Sequence, residues 1–141
     1  MKSINILVTI VAFGSYVFGG DSYNLINTEE CILPISKKLE LLKDSNMNYI
    51  EKDYNGSLYI NPISITINKK NKETARINAK AKKILHLNKK NIMFGFQIFT
   101  DNKKTNSNKL VYLKDYVLLL GNYPENDLKY MLSYCSKTSV K

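Results

Sequence analysis

The sequence predicts an α+β fold in which helices pack against an antiparallel sheet, and three patterns support that prediction. Residues 63–67 read ISITI, a strict alternation of apolar and polar side chains that is typical of a half-buried strand. The segment that follows, as far as residue 87, contains several Ala and Lys residues and one Glu, which favour a helix. Residues 124–135 carry apolar side chains and a cysteine at spacings of three and four, which predicts a second helix. Those residues are Leu128, Met131, Leu132 and Cys135.

The amino terminus has the pattern of a secretory signal peptide. Lys2 precedes an apolar run over residues 4–18, and small residues follow it, so we expect cleavage after Gly19 or, as an alternative, after Gly20. An uncleaved anchor is the rival interpretation, but a run of about 15 residues is shorter than the roughly 20 needed to span a bilayer. We therefore expect a signal peptide over residues 1–19 and an exported protein, periplasmic or secreted, with no transmembrane segment after cleavage.

The length of the chain limits the rest to one domain. The protein has 141 residues, of which 44% are hydrophobic, enough to form a single core of its own. We expect residues 20–141 to form one exported α+β domain. Residues 20–30 and 137–141 are predicted to be its irregular ends.

The two cysteines, Cys31 and Cys135, are predicted to form a disulfide. In an oxidising compartment two cysteines near opposite ends of a small domain are most simply partners. The rival is a metal-binding or catalytic thiol, which needs further ligands or a base, and His86 is the only histidine. By chain-entropy arguments a disulfide closing so long a loop stabilises the fold by about 4 to 5 kcal/mol.

The amino-terminal third predicts a helix followed by a hairpin. Ile35, Leu39 and Leu42 are spaced by four and three residues, which predicts one apolar helical side over residues 35–44. Further along, Asn55-Gly56 lies between two β-rich segments, a strong signal for a two-residue hairpin turn.

The elements from residue 63 onward complete a β-α-β-β-α core of the ferredoxin-like, split type, with both helices on one face of the sheet. Residues 91–99 predict one strand, and residues 110–121 predict one long strand or two that meet at Lys114-Asp115. The expected core sides of the helix at 73–87 and of the strand at 91–99 are Ile77, Ala81 and Ile84 or Leu85, and Ile92, Phe94, Phe96 and Ile98.

The opposite face of the predicted sheet is the candidate binding face. It is either open or covered by the amino-terminal helix, and the sequence favours neither arrangement. The residues assigned to it are Ser64, Thr66, Met93, Gln97, Phe99 and Tyr116.

The positive charge of the chain is concentrated in residues 69–114. This segment has 13 Lys and Arg against Glu73 and Asp101, a net charge of +11. Such a block indicates an anionic partner, such as nucleic acid, acidic glycan, a membrane surface or an acidic protein, although a Lys- and Asn-rich composition gives the same pattern without a partner. The candidate basic flank consists of Arg76, Lys80, Lys83, Lys103 and Lys104.

Nucleic acid is the least favoured of these partners. The segment FGFQIF at residues 94–99 is similar to the RNP1 sequence of RNA-recognition motifs, whose aromatic side chains stack on bases. However, Ile92 and Met93 occupy the positions where RNP1 begins with a basic residue and glycine, and the chain carries an export signal.

The segment LLGNY at residues 119–123, followed by the predicted helix, resembles the second half of a SPOR (sporulation-related repeat) domain. The resemblance covers about residues 58–135 and includes the order strand, helix, strand, helix. It departs from the SPOR pattern after residue 67, where Asn68-Lys69-Lys70 stands in place of a glycine-aromatic turn. The resemblance implies a periplasmic module that binds peptidoglycan through an open sheet face.

The sequence contains no motif for catalysis, metal binding or a cofactor. It lacks paired Cys/His spacings for zinc, GxSxG, a P-loop and HExxH, so we expect no enzyme, metal or cofactor, with a hydrolase or nuclease left open. The first hypothesis is a non-catalytic exported binding module for cell-wall glycan or a component of an envelope or secretion machine. The alternative is a secreted virulence or inhibitor protein that binds an acidic protein partner and has no affinity for glycan.

Overall fold

The computed structural model describes residues 22–42, 47–52, 54, 56, 61–101 and 108–140. Within them the chain forms two helices and two antiparallel sheets, so the predicted α+β class is confirmed. The elements are β1 (Tyr23–Asn27), β2 (Ile32–Ser36), β3 (Leu39–Leu41), β4 (Asn48–Glu51), β5 (Ser64–Lys69), α1 (Lys72–Ile84), β6 (Lys89–Met93), β7 (Phe96–Thr100), β8 (Lys109–Tyr112), β9 (Tyr116–Gly121) and α2 (Glu125–Thr138). The predicted signal peptide lies outside the described residues.

The larger sheet has the strand order β3-β4-β5-β9-β8-β7-β6, and every neighbouring pair is antiparallel. Strands β5 and β6 therefore run in the same direction, four strands apart, and α1 connects them. Strands β1 and β2 pair only with each other and form a separate hairpin. Lys114-Asp115 separates β8 from β9, as the second of the two sequence interpretations expects.

The first face of the large sheet, defined by the cross-strand row Ile67, Leu118, Val111 and Ile98, carries the main core. Helix α2 and strand β2 pack on this face. The alternation at residues 63–67 is confirmed here, because Ile65 and Ile67 are both buried. The apolar side of α2 is confirmed as well, and its four buried residues are Leu128, Met131, Leu132 and Cys135.

The predicted disulfide between Cys31 and Cys135 is present. It joins the residue before β2 to the carboxyl-terminal half of α2, with 5.0 Å between the two Cα atoms. Val140 N–H also donates to the carbonyl of Glu30 at 2.8 Å, so the segment after α2 is attached at the same point. A disulfide of this kind is compatible with an exported protein.

The amino-terminal helix predicted over residues 35–44 is wrong. Ile35 ends in β2 and Leu39 begins β3, with a turn at Lys37-Lys38 between the two strands. Both Ile35 and Leu39 are buried, because two strands joined by a tight turn can bring residues four apart into one core, as a helix does. Residues 20–30, predicted to be irregular, contain β1.

The predicted Asn55-Gly56 hairpin falls partly outside the described residues, because Asn55 and residues 57–60 are not among them. Strand β4 pairs with β3 on one side and with β5 on the other, so its hairpin partner begins at Ser64. Gly56 itself has the positive φ of 82° that a turn would need.

The strand predicted over residues 91–99 is two strands, β6 and β7, which are joined by a turn at Phe94-Gly95. Met93 pairs with Phe96 across this turn. The side chains that face the main core are therefore those of odd-numbered residues on β6 and of even-numbered residues on β7. Phe96 and Ile98 belong to the core as expected, whereas Ile92 and Phe94 are 68% and 50% exposed.

The two helices do not share one face of the sheet, and the predicted core side of α1 is wrong. The only fully buried residue of α1 is Asn78, and Ile77 and Ile84 are 51% and 63% exposed. The segment at the end of α1 contributes Leu87 to a separate small core with Leu110 and Val117. That core lies on the second face of the sheet, defined by the cross-strand row Phe99, Leu110, Leu119 and Thr66.

Candidate anion-binding surface

Helix α1 begins at a well-defined cap directly after strand β5, which lies in the interior of the sheet. Thr74 N–H donates to the Asn71 side-chain oxygen at 2.8 Å, and Asn71 N–H donates to the Thr74 hydroxyl oxygen at 2.9 Å. This reciprocal pair satisfies backbone donors that the first helical turn leaves free. Since Lys70 N–H also bonds to the carbonyl of Asp115 at 2.8 Å, the start of the helix is attached to the β8–β9 turn.

Four exposed cations of α1 form one surface, which we call the basic helix face. They recur at intervals of four, four and three residues, so they lie along one side of the helix, opposite the buried Asn78. Within the described part of the chain, no carboxylate forms an ion pair with any of them. The basic helix face consists of Lys72, Arg76, Lys80 and Lys83.

Those members of the predicted basic flank that the structure describes therefore lie together on one surface. Arg76, Lys80 and Lys83 all belong to the basic helix face. Lys103 and Lys104 fall outside the described residues. Lys72 was not assigned to the flank, but its spacing of four residues from Arg76 could have identified it.

The carboxyl-terminal end of α1 is attached to the second face by apolar contacts and a cation–π contact. Leu85 and the buried Leu87 pack in the small core of that face. The ammonium of Lys82 lies 3.7 Å from the centroid of the Phe99 ring, and such a contact contributes on the order of 0.5 to 1 kcal/mol or more where the site is partly buried.

A second cation–π contact lies on the same face. The ammonium of Lys70 is 5.6 Å from the centroid of the Tyr112 ring. Partial burial raises the pKa of the Tyr112 hydroxyl, so this ring remains neutral at physiological pH. Lysines and aromatic rings are thus already interleaved on the second face.

The residues of the predicted binding face divide between the two faces. Ser64, Thr66, Gln97 and Phe99 lie on the second face, and they are partly or fully accessible. The assignment of Met93 and Tyr116 to that face is wrong. Tyr116 is buried in the main core and Met93 packs against it, because the hairpin at Phe94-Gly95 and the turn before β9 change the parity of the strands.

The glycine of the LLGNY turn is favoured by a close approach between strands. Gly121 pairs with Ser64, and a Cβ atom at residue 121 would lie 2.6 Å from the Ser64 Oγ. Asn122 follows with a φ of 51°, and Tyr123 is buried in the main core. In this protein the tyrosine of the turn therefore contributes to the core, and it does not lie on an exposed surface.

Sequence reasoning missed the role of Glu30. Its carboxylate is buried and accepts hydrogen bonds from the backbone N–H groups of Lys114 and Asp115, both at 2.7 Å. It thereby attaches the β1–β2 turn to the β8–β9 turn. No pattern in the sequence indicates this contact, which joins residues 84 and 85 positions apart.

The neighbouring Glu29 accounts for one lysine of the basic segment. It forms an exposed ion pair with Lys69, and the hydrogen bond from that lysine lowers the pKa of the Glu29 carboxyl. Lys69 is therefore compensated, whereas the cations of the basic helix face have no such partner among the described residues.

Other types of site find little support in the described part of the chain. It holds no group of three or more His, Cys, Asp or Glu side chains that could bind a metal ion. His86 lies exposed at the end of α1 with a φ of 54°, in the left-handed conformation that ends many helices. Among the described residues, no helix is both long and apolar enough to span a bilayer.

Comparison with known proteins gives no relative for this chain: no family model, no curated protein and no solved structure matches it. The resemblance of the LLGNY segment to SPOR domains therefore stays a prediction.

Proposed function

We propose that this protein is an exported, non-catalytic binding module that holds an anionic cell-envelope glycan, peptidoglycan in the first instance, against the basic helix face. The observation that supports this proposal is the row of four cations on α1 that have no ion-pair partner among the described residues. A helix that binds its own sheet would gain stability by turning Ile77 and Ile84 inward, but α1 exposes both. The side chains of α1 are therefore better suited to contact with an external partner than to packing in the core.

The spacing of the basic helix face suits an extended polyanion. Successive members lie three or four residues apart, so each neighbouring pair is separated by about 5 to 6 Å at the Cβ atoms. A polymer with repeated carboxylates can contact several of these cations at once, and their combined attraction acts over roughly 8 to 10 Å at physiological salt.

The glycan part of the proposal has two further supports. One is the resemblance of residues 119–123 and the following helix to SPOR domains, which implies peptidoglycan as the ligand. The other is the polar, accessible character of Ser64, Thr66 and Gln97 on the second face, since their side chains can form hydrogen bonds with sugar hydroxyls. A periplasmic location follows from this ligand.

Co-sedimentation with purified peptidoglycan tests the proposal. The oxidised exported protein should be retained at about 150 mM salt, where long-range attraction is largely screened. The variant Arg76→Glu, Lys80→Glu, Lys83→Glu should lose retention. The control variant Lys37→Glu, Lys38→Glu, Lys129→Glu changes the net charge equally at exposed positions of the β2–β3 turn and α2, and it should be retained. Equal retention of both variants, or no retention of the wild type, would reject the glycan.

A second candidate function is favoured by one observation. Ile77 and Ile84 lie exposed on α1, close to the basic helix face, and apolar side chains next to cations are also suited to an acidic protein partner. A secreted virulence or inhibitor protein would use such a surface. In that case Ile77→Ser with Ile84→Ser should abolish capture of an acidic protein from the producing cells, and it should leave peptidoglycan retention unchanged.

A further inference from the structure

The turn between β6 and β7 holds an aromatic residue in a conformation that disfavours it. Met93 pairs with Phe96, so the loop has only two residues, and these have φ values of 52° at Phe94 and 85° at Gly95. Two positive φ values identify a type I′ turn, in which Asn or Gly is preferred at the first position. A bulky side chain with positive φ is a rare outlier, so Phe94 is a costly choice for this position.

The phenyl ring gains little from the fold in return. Phe94 is 50% exposed and belongs to neither core, whereas Phe96, two residues later, packs against the main core. Ile92 stands before the turn and is 68% exposed. The end of this hairpin therefore presents two large apolar side chains to the surroundings, and we call them the hairpin tip.

The surface next to the hairpin tip is basic. Ile92 pairs with Gln97, and Gln97 pairs with Tyr112, so these three residues form one row on the second face. Tyr112, at the end of that row, is about two strand spacings, or roughly 10 Å, from Ile92, and Lys70 lies over its ring. In the parallel row, Lys90 pairs with Phe99, over which the ammonium of Lys82 lies.

Acidic side chains are missing from this part of the sheet. The positions of β5 to β9 that face the second side carry Lys90 but no Asp or Glu, and the basic helix face lies on the same side of the sheet. An anionic partner would therefore meet cations beside the hairpin tip, and it would meet no opposing carboxylate from these strands.

We propose that the hairpin tip inserts into the surface of a bilayer that contains anionic lipid, while Lys70, Lys82 and Lys90 contact the headgroups. A bilayer surface suits this geometry better than a protein does. A specific protein interface needs about 800 Å² from each partner, whereas an interface with lipid gains from each apolar side chain that enters it and from each nearby cation. This attachment is separate from the glycan proposal, because Ile92 and Phe94 carry no charge.

Vesicle sedimentation tests the insertion. The oxidised exported protein should bind vesicles of phosphatidylcholine with phosphatidylglycerol and should bind pure phosphatidylcholine much more weakly. The variant Ile92→Ser, Phe94→Asn should bind the anionic vesicles at least about tenfold more weakly, because each of the two side chains loses most of its apolar area. Asn suits the positive φ of residue 94, so this variant is expected to fold.

The matched control is Leu25→Ser with Leu41→Ser. These two leucines are also about half exposed, but they lie on β1 and β3, away from the second face. This control should bind vesicles as the wild type does. Equal binding by the tip variant and the wild type, or no binding of the wild type to anionic vesicles, would overturn the proposal.

A fluorescent probe gives an independent readout of insertion. The chain contains no tryptophan, so Phe94→Trp introduces a single one at the hairpin tip. Its emission should shift to the blue and become protected from iodide when anionic vesicles are added. Emission that remains that of a water-exposed indole while the protein is bound would show that the tip does not insert. The tip variant should still be retained by peptidoglycan, so the glycan and lipid proposals can fail separately.

Discussion

Helices α1 and α2 are similar in length but differ in how they are attached to the sheet. Helix α2 buries four side chains in the main core and is linked by a disulfide, whereas α1 buries only Asn78 and exposes two isoleucines and four cations. Full burial of an aliphatic side chain contributes about 1.5 to 3 kcal/mol, so α2 contributes far more to stability. The contacts that stabilise the fold are thus concentrated on the first face of the sheet. The elements on the second face can therefore carry side chains that suit a partner.

The largest effect should come from the disulfide. Replacing both cysteines, Cys31→Ala and Cys135→Ala, should lower the free energy of unfolding by about 4 to 5 kcal/mol, because the unfolded chain loses a constraint across a separation of 104 residues. Urea unfolding of the oxidised wild type and the double variant measures this difference. An almost unchanged midpoint would mean that the first face does not depend on the disulfide, and the contrast between the helices would weaken.

Truncation of one apolar residue in each helix tests the comparison directly. Leu132→Ala should cost about 2 to 5 kcal/mol, because the side chain is fully buried between α2 and the sheet. Ile77→Ala should change the free energy of unfolding by less than about 0.5 kcal/mol, since the side chain is half exposed and Ala favours a helix. Similar losses in the two variants would show that α1 packs more tightly in solution.

The same contrast separates the two adjacent glutamates. Glu30→Gln should cost about 1 to 3 kcal/mol, because an amide group would face a backbone N–H that now donates to a buried carboxylate. Glu29→Gln removes an exposed ion pair with Lys69 and should leave the unfolding midpoint almost unchanged. Denaturant curves of the two variants measured side by side provide the test, and equal effects would contradict the assigned role of Glu30.

The sequence predicted correctly those elements whose apolar spacing is compatible with only one type of secondary structure. The alternation at 63–67 and the stripe from Leu128 to Cys135 could be buried in only one way, and the two cysteines had no other partner. The spacing of Ile35 and Leu39 had two solutions, a helix and a pair of strands around a turn. Phe94-Gly95 gave no turn signal, because the residue that prefers such a turn is absent from its first position.

The candidate site was predictable where its members share one helix. Arg76, Lys80 and Lys83 are grouped by helical spacing alone, whatever the rest of the fold does. Met93 and Phe99 were assigned to one face because both are odd-numbered positions of a single predicted strand, and the unrecognised turn reversed that relation. The apolar residues of α1 did not predict which side of the helix is buried. That side is determined by how the chain connects β5 to β6 across the second face.

The smallest expected effect on stability concerns Tyr23, which links β1 to α2. The Tyr23 hydroxyl donates to the Asp127 carboxylate at 2.7 Å, and its ring lies 4.7 Å from that of Tyr130. Burial, together with the hydrogen bond and the charge of Asp127, raises the pKa of Tyr23 to about 12. The unfolded chain has a tyrosine pKa near 10. The neutral form is therefore favoured in the folded state, and its contribution to stability is complete below pH 10 and lost as the pH rises toward 12.

Comparison with Tyr23→Phe isolates this titration. The difference in tyrosinate absorbance between wild type and variant should rise with a midpoint near pH 12. The variant should also lose less stability than the wild type over that alkaline range, because it has no hydroxyl to ionise. A midpoint near the ordinary tyrosine pKa of about 10 would mean that neither the burial of Tyr23 nor its bond to Asp127 persists in solution. Strand β1 would then be attached to α2 mainly through β2 and the disulfide. The elements on the first face would be stabilised by the main core and by that covalent link.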